Sequence, residues 1–232
     1  MYRYETHLHT FPVSRCGKAG VEETLRYYKG LGYDGVFITN HFVDGNLNIE
    51  KDRPYEEKIA FYFSDYEEGC RIGKELGIKV FCGVELSYRG TDFLVYGLDK
   101  QWFLEHPEIV DMKKSDELTF LREHGALIIQ AHPYREETYI DHIRLFPRHV
   151  HGVEIINASR DGFENGLAKH YAKTYELLEF AGSDNHRAAD AKALAGVATE
   201  EPVMDELDFV QRIKSGSFQI FYTMPDGSTS LL

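Results

Sequence analysis

An α/β fold, with a mainly parallel sheet rolled into a seven-stranded barrel of the TIM type, is what this 232-residue sequence predicts. Three observations lead there. Apolar strand-like runs alternate with helix-like segments, as parallel neighbours with long crossovers require. Seven such runs occur before Asp184, which suits a closed barrel better than an open sheet. Residues that bind metal well stand at the ends of several of those runs, where the active sites of such barrels gather.

The strand-like runs are Tyr2–Thr6, Gly35–Thr39, Lys79–Leu86, Asp92–Leu98, Ala126–Ala131, Gly152–Ile156 and Leu178–Ser183. Between most of them the pattern turns helical. Val21–Leu31 puts Leu25 and Tyr28 on one face and stops at Gly32. Arg53–Leu76 ends before Gly77, Met112–His124 before Gly125, and Glu164–Tyr175 completes the set. Past Asp184 follow a short strand at Leu194–Thr199, a helix at Met204–Lys214 and a closing strand at Phe218–Tyr222. Residues 225–232 read as a polar, mobile tail. No linker composition divides the chain, so residues 1–232 are expected to form one domain.

A net charge of −12 argues against a protein that coats nucleic acid or an anionic membrane. It does not forbid a small anionic substrate, because bound divalent ions can make one pocket positive. There is no apolar stretch of membrane-spanning length and no signal or transit segment, so the expected location is the cytoplasm. Cys16, Cys70 and Cys82 are too few and too scattered for a disulfide framework. Packing is the expected role of Cys70 and Cys82.

The chemistry sits in five short clusters. His7 and His9 flank Leu8 at the end of the first strand, and alternate strand residues point the same way, so both imidazoles can converge on one ion. Ile38-Thr39-Asn40-His41, Gly83-Val84-Glu85, Ala131-His132-Pro133 and Gly182-Ser183-Asp184-Asn185-His186 each follow an apolar run in the same manner. One His-x-His alone is weak evidence. Five clusters at five strand ends are specific.

Taken together, and in this order, these motifs resemble the polymerase-and-histidinol-phosphatase (PHP) domain family of metal-dependent phosphoesterases, over nearly the whole chain. The resemblance implies a distorted seven-stranded β/α barrel of PHP type with two or three divalent ions, zinc, manganese or iron, at the strand C-termini. It implies a first ion held by His7, His9, Glu85 and Asp184, with Glu85 bridging to a second that also takes His132. A third would use His41 and His186. Four positions depart from the family's pattern: Glu5 stands for the usual aspartate and Asn40 for another. Asp99 stands where some relatives supply a second-metal histidine, and Cys16 falls near a third-metal ligand position. A carboxylate or thiolate can replace an imidazole as ligand.

Other residues gather round the expected mouth. Arg15, Arg135, Arg160 and Arg187 lie in loops, with Arg135 and Arg160 the expected phosphate-binding pair. Glu154 and Asn157 end the sixth strand and are placed behind the ligands or on the pocket wall. His106, His124, His142, His149, His151 and His170 read as surface residues.

The expected reaction is hydrolysis of a small phosphomonoester, of histidinol-phosphate or nucleotide type, by a metal-activated hydroxide attacking phosphorus. Arg135 or Arg160 would stabilise charge, and His186 or a water would protonate the leaving alkoxide. Phosphotyrosine is a further substrate type within the resemblance. Exonuclease or phosphodiesterase action on short oligonucleotides, and a non-catalytic metal-binding module, are the competing readings. The expected partner is a small phosphorylated substrate, with long nucleic acid disfavoured by charge. Oligomeric state is not legible in the sequence.

Overall fold

The computed structural model describes residues 1–191, 193–224 and 226–232. The seven expected strands form as β1 (Tyr2–Leu8), β2 (Gly35–Ile38), β3 (Lys79–Tyr88), β4 (Thr91–Tyr96), β5 (Leu127–Ala131), β6 (Gly152–Asn157) and β7 (Leu178–Gly182). Three more follow: β8 (Leu194–Thr199), β9 (Gln219–Thr223) and β10 (Thr229–Leu231). The helices are α1 (Val21–Gly30), α2 (Tyr55–Leu76), α3 (Lys100–Glu105), α4 (Lys114–Glu123), α5 (Gly162–Thr174) and α6 (Glu206–Ser215).

All ten strands belong to one sheet in the order β10-β9-β8-β1-β2-β3-β4-β5-β6-β7. This is a curled, mixed sheet rather than the seven-stranded parallel barrel expected. β1, β2 and β3 are parallel, as are β5, β6 and β7, but β4 runs antiparallel to both its neighbours. The cause is local. Only Arg89 and Gly90 separate β3 from β4, both with positive φ (52° and 83°), which is the geometry of a tight hairpin turn and too short for a crossover.

The β7 edge of the curl closes against β1 and β8 through side chains more than through a ladder. Thr6 Oγ1 donates to the Ala181 carbonyl, and Ser183 Oγ exchanges hydrogen bonds with the Ala195 backbone. A single parallel bridge joins Leu8 to Asn185. Inside the curl, Tyr4, Phe37, Phe81, Tyr96 and Phe180 meet Phe209 of α6, with Phe37 and Phe209 ring centroids 4.1 Å apart. Each such burial contributes about 1.5–3 kcal/mol. On the outside, α1 covers β1 and β2, while α2, α3 and α4 pack over β3, β4 and β5.

The polar tail folds back instead of trailing. Pro225 lies outside the described residues, but Thr229–Leu231 pairs antiparallel with Thr223–Phe221, whose free edge offers unpaired backbone groups. Several histidines read as surface residues also have partners: the His151 ring accepts the Ile128 N–H at 3.1 Å, and His106 stacks on Trp102 at 4.5 Å between centroids. No helix among the described residues is long and apolar enough to cross a membrane.

Candidate metal centre

The C-terminal parts of β1, β2, β3, β5 and β7 and the loops just after them bring seven ligand-type residues into one cluster. His7 Nε2 lies 3.1 Å from Glu85 Oε1 and 3.6 Å from Asp184 Oδ1, and His9 Nε2 lies 3.4 Å from both Glu85 Oε2 and Asp184 Oδ1. His132 Nε2 is 3.5 Å from Glu85 Oε1, and His41 Nδ1 is 2.7 Å from Glu85 Oε2. His186 reaches Asp184 Oδ1 at 3.5 Å. Three donor sets have atoms mutually within 4.8 Å: His7, His9 and Asp184; His7, Glu85 and His132; His9, Cys16, His41 and His186.

Whether ions fit can be asked of Glu85 itself. Both its carboxylate oxygens are buried, and neither has an aligned hydrogen bond despite four imidazoles around them. A buried carboxylate left so is costly unless something satisfies its lone pairs. Lone pairs of imidazoles and carboxylates pointing at common centres are what a divalent ion satisfies, so the residues present fit the group.

Supporting contacts fix the rings. Glu154 Oε1 pairs with His7 Nδ1 at 2.8 Å, and its Oε2 accepts the His132 backbone N–H and the Asn157 amide at 3.1 and 3.0 Å. Ser14 Oγ meets His9 Nδ1 at 3.3 Å and accepts the His41 N–H at 3.0 Å. His186 Nδ1 donates to the Asp184 carbonyl at 2.9 Å. Such partners set the tautomer and leave Nε2 for an ion. Glu5 accepts three backbone N–H groups, from Thr6, His7 and Ser183, and the hydroxyls of Tyr28 and Ser183, so it ties β1 to the Asp184 loop. Asn40 holds Thr10 and Asp65 rather than facing the cluster.

The backbone adapts where ligands are aimed. His132 and Asp184 have φ of 25° and 53°, a region that non-glycine residues rarely occupy. Gly182, just before that turn, is required by close approach: a Cβ there would stand 2.5 Å from both Glu154 Oε1 and His7 Cβ.

Asp99 is the clear correction. Its carboxylate caps α3, accepting the Trp102 N–H at 2.8 Å, at the opposite end of the sheet from the cluster. Because β4 is reversed, its first residues reach the site instead. Asp92 Oδ2 lies 3.8 Å from His132 Nε2 and 2.9 Å from the Arg135 guanidinium. Arg135 is thus drawn to the cluster's edge, with Nε buried and without a hydrogen-bond partner. Arg160 lines a cavity of about 450 Å³ together with Cys16, Ser159, Asp184, His186 and Arg187. Arg15 is exposed, its Nε 3.4 Å from Asn48.

Electrostatics follow from this crowding. Burial opposes charge on Glu85, but His41, His9 and His7 outweigh it and hold the carboxyl well below its ordinary range. Asp184 is likewise low, burial being overcome by His7, His9 and His186. Burial disfavours charge on His7, yet Glu154, Asp184 and Glu85 push it well up, and His41 rises similarly beside Glu85 and Cys16. His186 is raised despite burial by Cys16 and Asp184. His9, buried beside His186, falls to about 3.

Lowered carboxyls add stability above about pH 4 and lose it as pH falls through their folded values; raised imidazoles add it fully below about pH 6.5 and lose it as pH rises through theirs. His9, and His151 away from the cluster, are lowered and oppose them, as does the Cys16 thiol, lowered to about 6, above that pH; the three raised imidazoles set the expected trend. The metal-free protein is therefore expected to be most stable between about pH 4 and 6.5 and to melt at lower temperature near pH 8. Thermal melts with chelator check this. A melting temperature climbing steadily through that window would contradict it.

Comparisons with known proteins agree on the fold. The family model described as PHP-associated matches residues 162–218. A two-domain protein from Bacteroides vulgatus, containing a predicted PHP-like metal-dependent phosphoesterase, superposes with a TM-score of 0.66 at 14% identity. It covers 94% of this chain, which spans 64% of that protein's length. PsfC from Pseudomonas syringae gives 0.58 at 16% identity, covering 90% of this chain and 88% of its own. A candidate metal-dependent phosphoesterase from Bifidobacterium adolescentis gives 0.52 at 12%, with 90% and 95% covered. No curated protein gives a significant match.

Proposed function

We propose, for a chain that belongs to the PHP domain family, that it hydrolyses phosphate esters with two or three divalent ions bound, acting on small phosphomonoesters. One observation carries the reading: Glu85, with both oxygens buried and without a hydrogen bond, stands among His7, His9, His41 and His132. His7, His9, Glu85 and Asp184 would hold the first ion, Glu85 and His132 with Asp92 the second, and His41, His186 and Cys16 the third. Bound there, the ions would supply an activated water and neutralise phosphate oxygens.

The chain's own residues do the rest. Arg135, held by Asp92 at 2.9 Å, offers its remaining N–H groups to phosphate oxygens beside His132. Arg160, also with a buried, unpartnered Nε, faces the leaving group from the wall of the 450 Å³ cavity. The two roles expected of His186 exclude each other, since a ring nitrogen that binds an ion carries no proton. Its Nδ1 is committed to the Asp184 carbonyl, so the ligand role is retained and the leaving alkoxide takes its proton from water in that cavity.

The cavity and the net charge of −12 both favour a small substrate over a long polyanion. Purified protein given Mn²⁺ or Zn²⁺ should turn over small phosphomonoesters, and Asp184→Ala should abolish turnover together with metal content. Silence across a phosphomonoester panel by metal-loaded protein, or preference for a single-stranded oligonucleotide, would overturn the reading.

A further inference from the structure

The third donor set differs in kind from the other two. Those are built on the carboxylates of Glu85 and Asp184, whereas the third has Cys16 in place of any carboxylate. Soft thiolate ligands select different ions from hard oxygen ligands.

The Cys16 loop is built to present its sulfur. Ser14 N–H donates to the Thr10 carbonyl at 2.9 Å and Gly17 N–H to Ser14 at 3.1 Å, closing a tight turn around Cys16. Gly17 packs so closely on Thr10 that a Cβ would stand 2.7 Å from its carbonyl carbon. Two further bonds tie this loop to the other donors: Lys18 N–H reaches the His186 carbonyl at 2.7 Å, and His41 N–H reaches Ser14 Oγ at 3.0 Å. Three loops far apart in sequence are thereby locked together through contacts that need no ion. His186 Nδ1 is engaged by the Asp184 carbonyl, and His41 Nδ1 faces Glu85 Oε2, so each ring has Nε2 free for the set.

We propose that Cys16, His41 and His186 form a thiophilic ion site, which retains Zn²⁺ while the carboxylate sites of the same centre exchange for Mn²⁺ or Fe²⁺. The centre is then of mixed metal content by design of its donors. This rests on the proposed metal centre and adds a division of labour within it: the soft thiolate site keeps its ion, while the sites built on Glu85 and Asp184 hold the ions that exchange.

Cobalt substitution reads the site without reference to catalysis. The Co²⁺-loaded wild-type protein should show a near-ultraviolet thiolate-to-cobalt charge-transfer band. Cys16→Ser and Cys16→His should lose it, and Cys70→Ser should keep it. Cys16→His, which supplies another ligand, should bind as much cobalt as wild type, separating loss of sulfur from loss of fold. After loading with Zn²⁺ and dialysis against excess Mn²⁺, wild type should retain one zinc per chain and Cys16→Asp none. A wild-type protein that binds Co²⁺ without the band, or a band that survives in both Cys16 variants, overturns the proposal even if phosphatase activity is intact. Equal zinc retention in wild type and Cys16→Asp does so too. Failure of the phosphomonoester assay with the band present would instead count against the catalytic reading alone.

Discussion

Substituting Glu85 with glutamine should strip the protein of most of its metal and lower phosphatase activity by about a thousandfold or more. Glutamine keeps the size of the side chain, so packing by Val84, Leu86 and Leu94 is undisturbed. What changes is charge and donor character. The carboxylate lies within 2.7–3.5 Å of four imidazole nitrogens. An amide presents N–H groups to atoms arranged for a cation and leaves the raised imidazoles of His7 and His41 without their shared counterion. Removing one partner of a buried charge pair costs about 3–5 kcal/mol, so the metal-free variant should melt well below metal-free wild type. Elemental analysis beside kcat/KM checks both parts. Full metal content with full activity in Glu85→Gln would mean that the centre lies elsewhere.

Glu154→Ala should weaken metal binding by about 10–100-fold without removing any expected ligand. Glu154 serves two ligands at once, gripping His7 through Nδ1 and His132 through its backbone N–H. It also sits against Gly182, the residue before the Ser183-Asp184 turn. Alanine frees the His7 ring to rotate and leaves buried donors unpaired, at about 1–3 kcal/mol each. Competition against a chromophoric chelator measures the affinity, and a thermal melt the stability. If affinity is unchanged while stability falls, Glu154 is only packing, and the orientation of His7 is set by something else.

The parts of the molecule that the sequence declares most clearly are those with local causes. Seven strands show as apolar runs, and all five of the predicted helices form close to their expected limits, because periodicity and glycine stops act within a few residues. His7, His9, His41, Glu85, His132, Asp184 and His186 could be named because each stands near or just past the end of such a run. Strand direction is not local, and there the reading failed. The resemblance put Asp99 at the site, past the end of a strand expected to be parallel, whereas the reversed strand delivers Asp92. The signal was present: Lys79–Leu86 and Asp92–Leu98 are separated by too few residues for a crossover, and Arg89-Gly90 is a turn sequence.

Other features arise only from long-range packing. Ser14 and Asp65 have no pattern of their own; they matter because Asp65 of α2 accepts Thr10 Oγ1 at 2.6 Å and Ser14 bridges His9 and His41. The antiparallel addition of β8, β9 and β10 beside β1 likewise depends on which edge of the sheet is free. Glu5 and Asn40, two departures from the family pattern, both proved to be buried connectors between loops.

The most direct measurement is anomalous diffraction at the manganese and zinc edges from crystals grown with both ions. Peaks are predicted about 2.0–2.2 Å from Glu85 oxygens and from Nε2 of His7, His9 and His132, with a zinc peak between Cys16, His41 and His186. A well-ordered cluster with no peak at Glu85, in protein saturated with either ion, would contradict the account at its root.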